Sequence, residues 1–183
     1  GELARLAGFY PQHRLRLDAE FTATSLTEDL RESIDPLAAR SCVVHIACHG
    51  EFKARSGESF LAAADGPIYL ADLEAAIRPR KYRGQPVELL CLSACRTAAG
   101  DDRAALGLAG AAVKSGARSV VASLWYVETR ATSRLMTDFH RNLQSGDGNK
   151  ADALRRAQLA FLRDDPLTHP RLWAPFILIG DWK

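Results

Sequence analysis

The sequence predicts an α/β fold in which helices cover both faces of a mainly parallel sheet. Short, continuous apolar runs recur along the chain, and such a run is typical of a parallel strand buried on both faces. Segments with apolar residues at every third or fourth position separate the runs, and this spacing is typical of one helix face. Strands that alternate with helices favour a sheet between two helical layers.

The candidate strands and helices follow directly from these two patterns. The middle three apolar runs are rich in β-branched residues or leucine and have the length of buried strands. The runs are Arg14–Asp18, Cys42–Cys48, Val87–Leu92, Ser119–Trp125 and Phe176–Gly180. The predicted helices are Ser25–Ala39, Tyr69–Ile77, Ala104–Ser115, Thr129–Gln144 and Ala151–Arg163.

Two polar stretches, Glu51–Pro67 and Arg96–Arg103, have the composition of loops. Each follows the end of a predicted strand. Ligands of open parallel sheets bind outside the carboxyl ends of the strands. We therefore expect both loops to overhang one crevice.

Bulk properties limit the class of protein. The 183 residues suggest a single domain, with 47% hydrophobic and 25% charged residues. The net charge of +2 gives no electrostatic reason to expect nucleic acid or a membrane surface as partner. No apolar stretch approaches the roughly 18 residues that span a bilayer. The four cysteines are expected to be reduced thiols, which predicts a cytoplasmic protein.

The strongest chemical signal is a histidine and a cysteine at the ends of two predicted strands. His49 follows the run VVHIAC, and Cys95 follows the run VELLCL. Adjacent parallel strands would bring these ends to about 5 Å of one another. An imidazole beside a thiol is the minimal apparatus for nucleophilic acyl transfer, and the backbone N–H groups of Gly50 and Cys95 could bind an oxyanion. On spacing alone, an inert, packed cysteine is the commoner alternative.

The remaining cysteines and histidines have simpler interpretations. Cys42, Cys48 and Cys91 lie inside strand runs and are assigned to the core, as is His45, which we expect to have its hydrogen bonds satisfied. Zinc ligands usually come as close pairs on turns, so we predict no metal. Phosphate-binding, dinucleotide-binding and α/β-hydrolase motifs are absent, and no cofactor is expected. The histidines in polar contexts are assigned to the surface or to local hydrogen bonds: His13, His140 and His169.

Several segments, in order, resemble the CHAT family. These are bacterial caspase-like domains that are related to caspases and separase and are often attached to tetratricopeptide (TPR) repeats. VVHIACHGEF resembles the histidine block, ELLCLSACRTAAG the cysteine block, and HPRLWAPFILIGDW the closing strand. GLAGAAVKSGARSVVASLWYVETRATSRLMTDFHRNL and ADALRRAQLAFL match the stretches between them, so the resemblance spans about Thr24 to Trp182.

The resemblance implies a caspase-like three-layer α/β/α sandwich and a cysteine endopeptidase that forms an acyl-enzyme. The family nucleophile falls on Cys95, the histidine on His49 and the oxyanion-binding backbone N–H on Gly50. The implied partner is a protein or peptide substrate, with no role for nucleic acid or a membrane. The alternative is a catalytically silent caspase-like module for interaction or signalling.

The resemblance also implies candidate substrate contacts. In separase-like relatives, acidic residues just after the tryptophan of the next strand help to hold a basic side chain, which points to Trp125 and Glu128. Many CHAT sequences carry two adjacent acids there, whereas Thr129 follows Glu128 here. Glu128 could instead be a first-turn acid favoured by the helix dipole. Asp101 and Asp102 could contact substrate or cap the following helix.

The family domain normally has a further strand at its amino end. We therefore expect residues 1–183 to be one CHAT domain that begins inside the family pattern and lacks the N-terminal strand. The missing strand would leave apolar surface uncovered. We expect the isolated chain to expose this surface or to need an upstream partner, which is a TPR-type region or an N-terminal segment of the same parent protein.

Overall fold

A computed structural model describes residues 1–32, 42–52, 58–93, 96–97, 110, 112–164 and 168–183. The described helices are α1 (Glu2–Ala7), α2 (Ala23–Glu32), α3 (Leu70–Tyr82), α4 (Thr129–Ser145) and α5 (Lys150–Asp164). The described strands are β1 (Cys42–Ile46), β2 (Gly50–Phe52), β3 (Phe60–Ala63), β4 (Gly66–Tyr69), β5 (Val87–Leu92), β6 (Arg96–Thr97), β7 (Ser119–Ser123) and β8 (Phe176–Gly180).

The strands form two sheets. The main sheet has the order β1-β5-β7-β8. Strand β1 pairs in parallel with β5, and β5 with β7, whereas β8 pairs antiparallel to β7. The second sheet has the order β4-β3-β2-β6, and β2 and β6 are parallel neighbours in it.

The main sheet is covered on both faces. Leu90 and Leu92 of β5 belong to a core cluster that includes residues of α2 and α3. Leu89 and Cys91 point to the other face, where the cluster includes residues of α4 and α5. Successive side chains of a strand point to opposite faces, so β5 contributes to both cores. The predicted α/β/α layering and the mainly parallel sheet are confirmed.

Most predicted elements are found with shifted ends. Strands β5 and β8 match the predicted bounds, and the helix predicted over Thr129–Gln144 is α4. The prediction Ser25–Ala39 begins two residues late, because Thr22 and Ser25 cap α2 reciprocally, each backbone N–H donating to the other's hydroxyl at 2.9 Å. Of the predicted helix Ala104–Ser115, residues 110 and 112–115 are helical and the rest lies outside the described residues.

Two predictions of secondary structure are wrong, and the predicted loop Arg96–Arg103 begins with strand β6. Arg14–Asp18 forms no strand and leads into a 3₁₀ turn, Asp18–Glu20. The segment Glu51–Pro67, predicted as a loop, contains β3 and much of the antiparallel hairpin with β4. In this hairpin, Leu61 and Ile68 form a cross-strand pair of large apolar side chains that are almost fully buried. That apolar content is too small to give a strand pattern in the sequence.

The described residues include no helix that is both long enough and apolar enough to cross a bilayer. Cys42 and Cys91 are free thiols. Cys91 is fully buried, while Cys42 and Cys48 are half-buried against the α2–α3 core.

Strand β8 closes the main sheet through a glycine. Gly180 pairs with Ser119 and has a φ of +102°. An added Cβ would overlap the carbonyl oxygen of Arg118, which accepts a 2.8 Å hydrogen bond from the backbone N–H of Asp181. Gly180 therefore combines a left-handed φ with close backbone approach.

We predict that Gly180→Ala destabilises the protein more than Gly148→Ala does. Gly148 also has a positive φ, +81°, but its added Cβ would meet nothing within 4 Å. The control should cost about 1–2 kcal/mol from the left-handed φ. Gly180→Ala should cost about 1–3 kcal/mol more from overpacking. Urea unfolding of the two variants measures the difference, and equal losses would contradict the packing argument.

Candidate active site

The strands that lead to His49 and Cys95 are direct neighbours. Strand β1, which ends three residues before His49, pairs in parallel with β5, which ends three residues before Cys95. The backbone N–H of Ser93 extends this pairing by donating to the carbonyl of Ile46 at 3.1 Å. The carboxyl ends of β1 and β5 therefore lie side by side, as the sequence predicted.

The backbone at His49 is held by the second sheet. Its carbonyl accepts a 2.7 Å hydrogen bond from the N–H of Ala62, a residue of β3. The His49 side chain is exposed, and the next residue, Gly50, is buried and begins β2. An exposed imidazole on an anchored backbone is accessible to substrate.

Strands β2 and β6 bring the segments that carry His49 and Cys95 together a second time. They pair in parallel, with Glu51 opposite Arg96 and Phe52 opposite Thr97. Glu51 lies two positions after His49, and Arg96 directly follows Cys95 in the sequence. Cys95 itself lies outside the described residues. Its chain neighbour is therefore in register with the segment that follows His49.

Of the four candidate substrate-contact residues, Trp125 and Glu128 lie within the described part of the chain. Trp125, just beyond β7, is half-buried, and its indole N–H donates to the carbonyl of Arg171 at 3.2 Å. Glu128 is exposed and is the N-cap residue of α4. Glu128 thus lies one residue before the first turn, not within it, and its side chain makes no capping hydrogen bond. Exposure leaves its carboxylate accessible. Asp101 and Asp102 lie outside the described residues.

The other cysteines have the properties of packed thiols. Burial raises the pKa of the Cys91 thiol far above its ordinary value. Burial also raises the pKa of Cys42. Because the thiolate is the nucleophile, a raised pKa makes a thiol unreactive, and the assignment of these residues to the core is confirmed.

A chain of buried polar side chains lies directly beneath the carboxyl ends of β1 and β5. His45 of β1 contacts His140 of α4, with 3.0 Å between Nδ1 and Nε2. The Nε2 of His45 lies 2.9 Å from Oε1 of Glu2 and 3.1 Å from Oγ of Ser93. The Tyr10 hydroxyl lies 2.6 Å from Nδ1 of His140. We call these five residues the histidine network.

The number of N–H and O–H groups available determines which atoms donate and which accept in the histidine network. A carboxylate only accepts hydrogen bonds, and a neutral imidazole has one N–H. With a neutral ring, His45 donates through Nε2 to Glu2 and accepts at Nδ1 from His140. His140 then accepts at Nδ1 from the hydroxyl of Tyr10. Burial, together with the neighbouring His45, lowers the pKa of His140 to about 3, and burial raises the pKa of Tyr10 to about 12.

The same region contains donors that a metal ion could use. Ligand atoms of His45, Cys91 and His140 lie within 4.8 Å of one another, and zinc binds imidazole and thiolate ligands. However, the two ring nitrogens that face each other already share a hydrogen bond. The histidine network gives the ring nitrogens of His45 and His140 hydrogen-bond partners without a cation.

The histidine predictions have mixed outcomes. His45 has its hydrogen bonds satisfied, as predicted. The Nδ1 atoms of His13 and His169 make local contacts with the backbone of Tyr10 and Arg171. The assignment of His140 to the surface or to local hydrogen bonds is wrong, because it is 1% exposed and its partners are distant in sequence. Only tertiary packing of α1 and α4 brings these partners together.

The fold and this arrangement define a caspase-like α/β domain with paired histidine and cysteine segments. The chain belongs to the CHAT domain family, whose family model matches residues 1–181. This family is linked to cysteine peptidases. A comparison with curated proteins gave no match.

We predict that His140 makes stability fall with acidification. Its folded pKa, about 3, lies below its ordinary value of 6.5. Between these values the unfolded chain binds the proton and the folded protein does not. The contribution of His140 to the free energy of unfolding is complete above about pH 6.5. It is lost as the pH falls towards 3, by at most about 1.4 kcal/mol per pH unit.

Replacement of His140 by a residue that cannot titrate should flatten this dependence. His140→Asn should lose less stability than the wild type between about pH 7 and about pH 5. His13→Asn, at an exposed histidine, should retain the wild-type slope. Urea unfolding at both pH values measures the slopes. A wild-type slope in His140→Asn would contradict the assignment.

Proposed function

We propose that this chain is a cysteine endopeptidase in which Cys95 is the nucleophile and His49 the general base and acid. The observation that carries the proposal is the double pairing of the two segments. Strand β1 pairs with β5 just before the two residues, and β2 pairs with β6 just after them. Parallel register on both sides supports a short separation between thiol and imidazole.

In the proposed first half-reaction, His49 removes the proton of the Cys95 thiol. At the usual thiol pKa, only about 3% is thiolate at neutral pH, so the base is needed. The sulfur attacks the scissile carbonyl carbon, and the carbonyl π electrons move to oxygen. The tetrahedral intermediate collapses, the C–N bond breaks, and the imidazolium gives its proton to the leaving amine. The product is a thioester acyl-enzyme.

The second half-reaction hydrolyses the thioester. His49 takes a proton from water as the water oxygen attacks the acyl carbon. The C–S bond then breaks, and the sulfur recovers the proton from the imidazolium. Backbone N–H groups of Gly50 and Cys95 are proposed to bind the oxyanion in both steps, a contribution of roughly 3–4 kcal/mol per donor in known cases. Gly50 has no side chain to obstruct the approach of the substrate carbonyl.

The proposed substrate is a polypeptide with a basic residue before the cut. Glu128 has an exposed carboxylate close in sequence to Trp125, whose ring is half-buried. An acid for the charge and an aromatic surface for the aliphatic stem suit a lysine or arginine side chain. Asp101 and Asp102 are further candidates for this contact. The proposal also includes a cytoplasmic location and an upstream TPR-type region that regulates the enzyme.

Removal of either dyad member should abolish cleavage. Cys95→Ala and His49→Ala should each lower kcat by more than about 10³-fold, because the nucleophile and its base act as a unit. Release of fluorophore from a peptide library measures the rates. The full-length parent protein should be used so that any activating region is present.

Matched substitutions separate the dyad from the packed residues of the same types. Cys48→Ala removes a half-buried thiol next to His49, and His13→Ala removes an exposed imidazole; both should retain cleavage within about threefold. Full activity of Cys95→Ala would end the proposal. Absence of cleavage from every variant and from the wild type would favour a catalytically silent module.

Neutralisation of Glu128 should weaken the preference for a basic residue. Glu128→Gln should reduce the ratio of kcat/KM for basic over neutral substrates by about tenfold, equivalent to about 1.4 kcal/mol. Glu74→Gln, on the surface of α3, should leave the ratio unchanged. If Glu128→Gln lowers both kcat/KM values equally, Glu128 is not a specificity determinant.

A further inference from the structure

We propose that His45 and Ser93 are positioning residues for the dyad and that Glu2 of α1 holds them in place. This inference rests on the proposed function, because it concerns how Cys95 and His49 are brought into line. Neither residue is expected to touch substrate. Their role is to fix the ends of the strands from which the dyad emerges.

The contact between His45 and Ser93 lies at the edge of the main sheet where the carboxyl ends of β1 and β5 meet. His45 lies four positions before His49, and Ser93 lies two positions before Cys95. Their side chains meet at 3.1 Å. The neighbouring backbone contact from Ser93 N–H to the carbonyl of Ile46 is also 3.1 Å. Beyond the regular pairing of β1 with β5, one side-chain hydrogen bond and one backbone hydrogen bond therefore join Ser93 to β1.

Glu2 determines how this link is oriented. Its carboxylate lies 2.9 Å from the same Nε2 atom of His45 that faces Ser93. A carboxylate partner fixes which ring nitrogen carries the proton. The Nε2–H is then shared between Glu2 and the Ser93 oxygen, while His140 occupies the other ring nitrogen. With both ring nitrogens engaged, the imidazole cannot turn without losing hydrogen bonds.

Contacts with α4 fix the position of helix α1, which carries the Glu2 carboxylate. The guanidinium of Arg5 donates to the Ser133 hydroxyl of α4 at 2.6 Å. Tyr10, just after α1, contacts His140 of the same helix at 2.6 Å. Leu6 is 4% exposed. The amino-terminal helix is thus packed on α4 while Glu2 reaches the sheet, so its position is coupled to the ends of β1 and β5.

The reason to expect a catalytic effect is geometric. A displacement of about 1 Å at reacting groups can lower a rate by about 10²-fold. Only Ala94 separates Ser93 from Cys95 in the sequence. Loss of the Ser93 hydroxyl should therefore move the nucleophile relative to the imidazole more than it weakens the fold.

The chain provides a matched control for Ser93. Ser119 also has a hydroxyl that links two strands of the main sheet, donating to the carbonyl of Glu88 at 2.7 Å. That contact lies at the opposite end of the sheet, where β7 begins and β5 has just begun. Ser119→Ala therefore removes a similar strand-to-strand hydrogen bond remote from the dyad.

The test measures alkylation of Cys95 by iodoacetamide, which needs no peptide substrate. Mass spectrometry of the Cys95 peptide gives the rate as a function of pH in full-length protein. Ser93→Ala should lower the rate at neutral pH about tenfold or more, and Ser119→Ala should leave it within about twofold. Ser93→Thr keeps the hydroxyl and should recover most of the rate. Glu2→Gln should give an intermediate loss.

Peptide cleavage by the same variants gives the second readout. A positioning role predicts that Ser93→Ala lowers kcat with KM nearly unchanged, at a melting temperature similar to that of Ser119→Ala. Equal effects of Ser93→Ala and Ser119→Ala on alkylation and kcat would overturn the proposal and leave only a structural role.

The outcomes also separate this inference from the peptidase proposal. Alkylation that depends on His49 and Ser93, without peptide cleavage, would support the positioning role and count against the endopeptidase. Cleavage that depends on Cys95 and His49 but not on Ser93 would support the endopeptidase and overturn the positioning role. Alkylation of Cys95 that is unchanged by His49→Ala would overturn both.

Discussion

Parallel pairing of β1 with β5 is the constraint on which the rest of the structure depends. Both strands are short, and β5 is buried on both faces. Because the strands are parallel, their carboxyl ends lie at the same edge of the sheet, and the segments carrying His49 and Cys95 leave from that edge. An antiparallel arrangement of the same two strands would direct these segments to opposite edges.

The second sheet adds backbone constraints beyond the strand ends that the main sheet brings together. Strand β2 follows His49 directly and is held between β3 and β6. The hydrogen bond from Ala62 to the carbonyl of His49 adds a fixed point before β2 begins. The segments that carry His49 and Cys95 are thus constrained by backbone hydrogen bonds on both sides, which require no particular side chains.

The histidine network adds a side-chain constraint beneath this backbone arrangement. It joins α1, β1, α4 and the end of β5 through groups that are all hydrogen bonded. The low pKa of His140, about 3, keeps that ring neutral, so one of its nitrogens donates and the other accepts. A buried polar network that is fully satisfied favours a single packing arrangement. Hydrogen bonds thus connect α1 to the edge of the main sheet.

The sequence by itself determined the layered α/β class, the strands β5 and β8, and the segments of His49 and Cys95, because continuous apolar runs and helical spacing are local patterns. It did not reveal the β3–β4 hairpin, whose buried side chains are few, nor the burial of His140, because Asp138, Arg141 and Asn142 give its surroundings in sequence a largely polar character. Tertiary structure alone decided that Glu2, His45, Ser93 and His140 meet. Their contacts span 43 to 95 residues of sequence, and no local periodicity records which distant faces pack together.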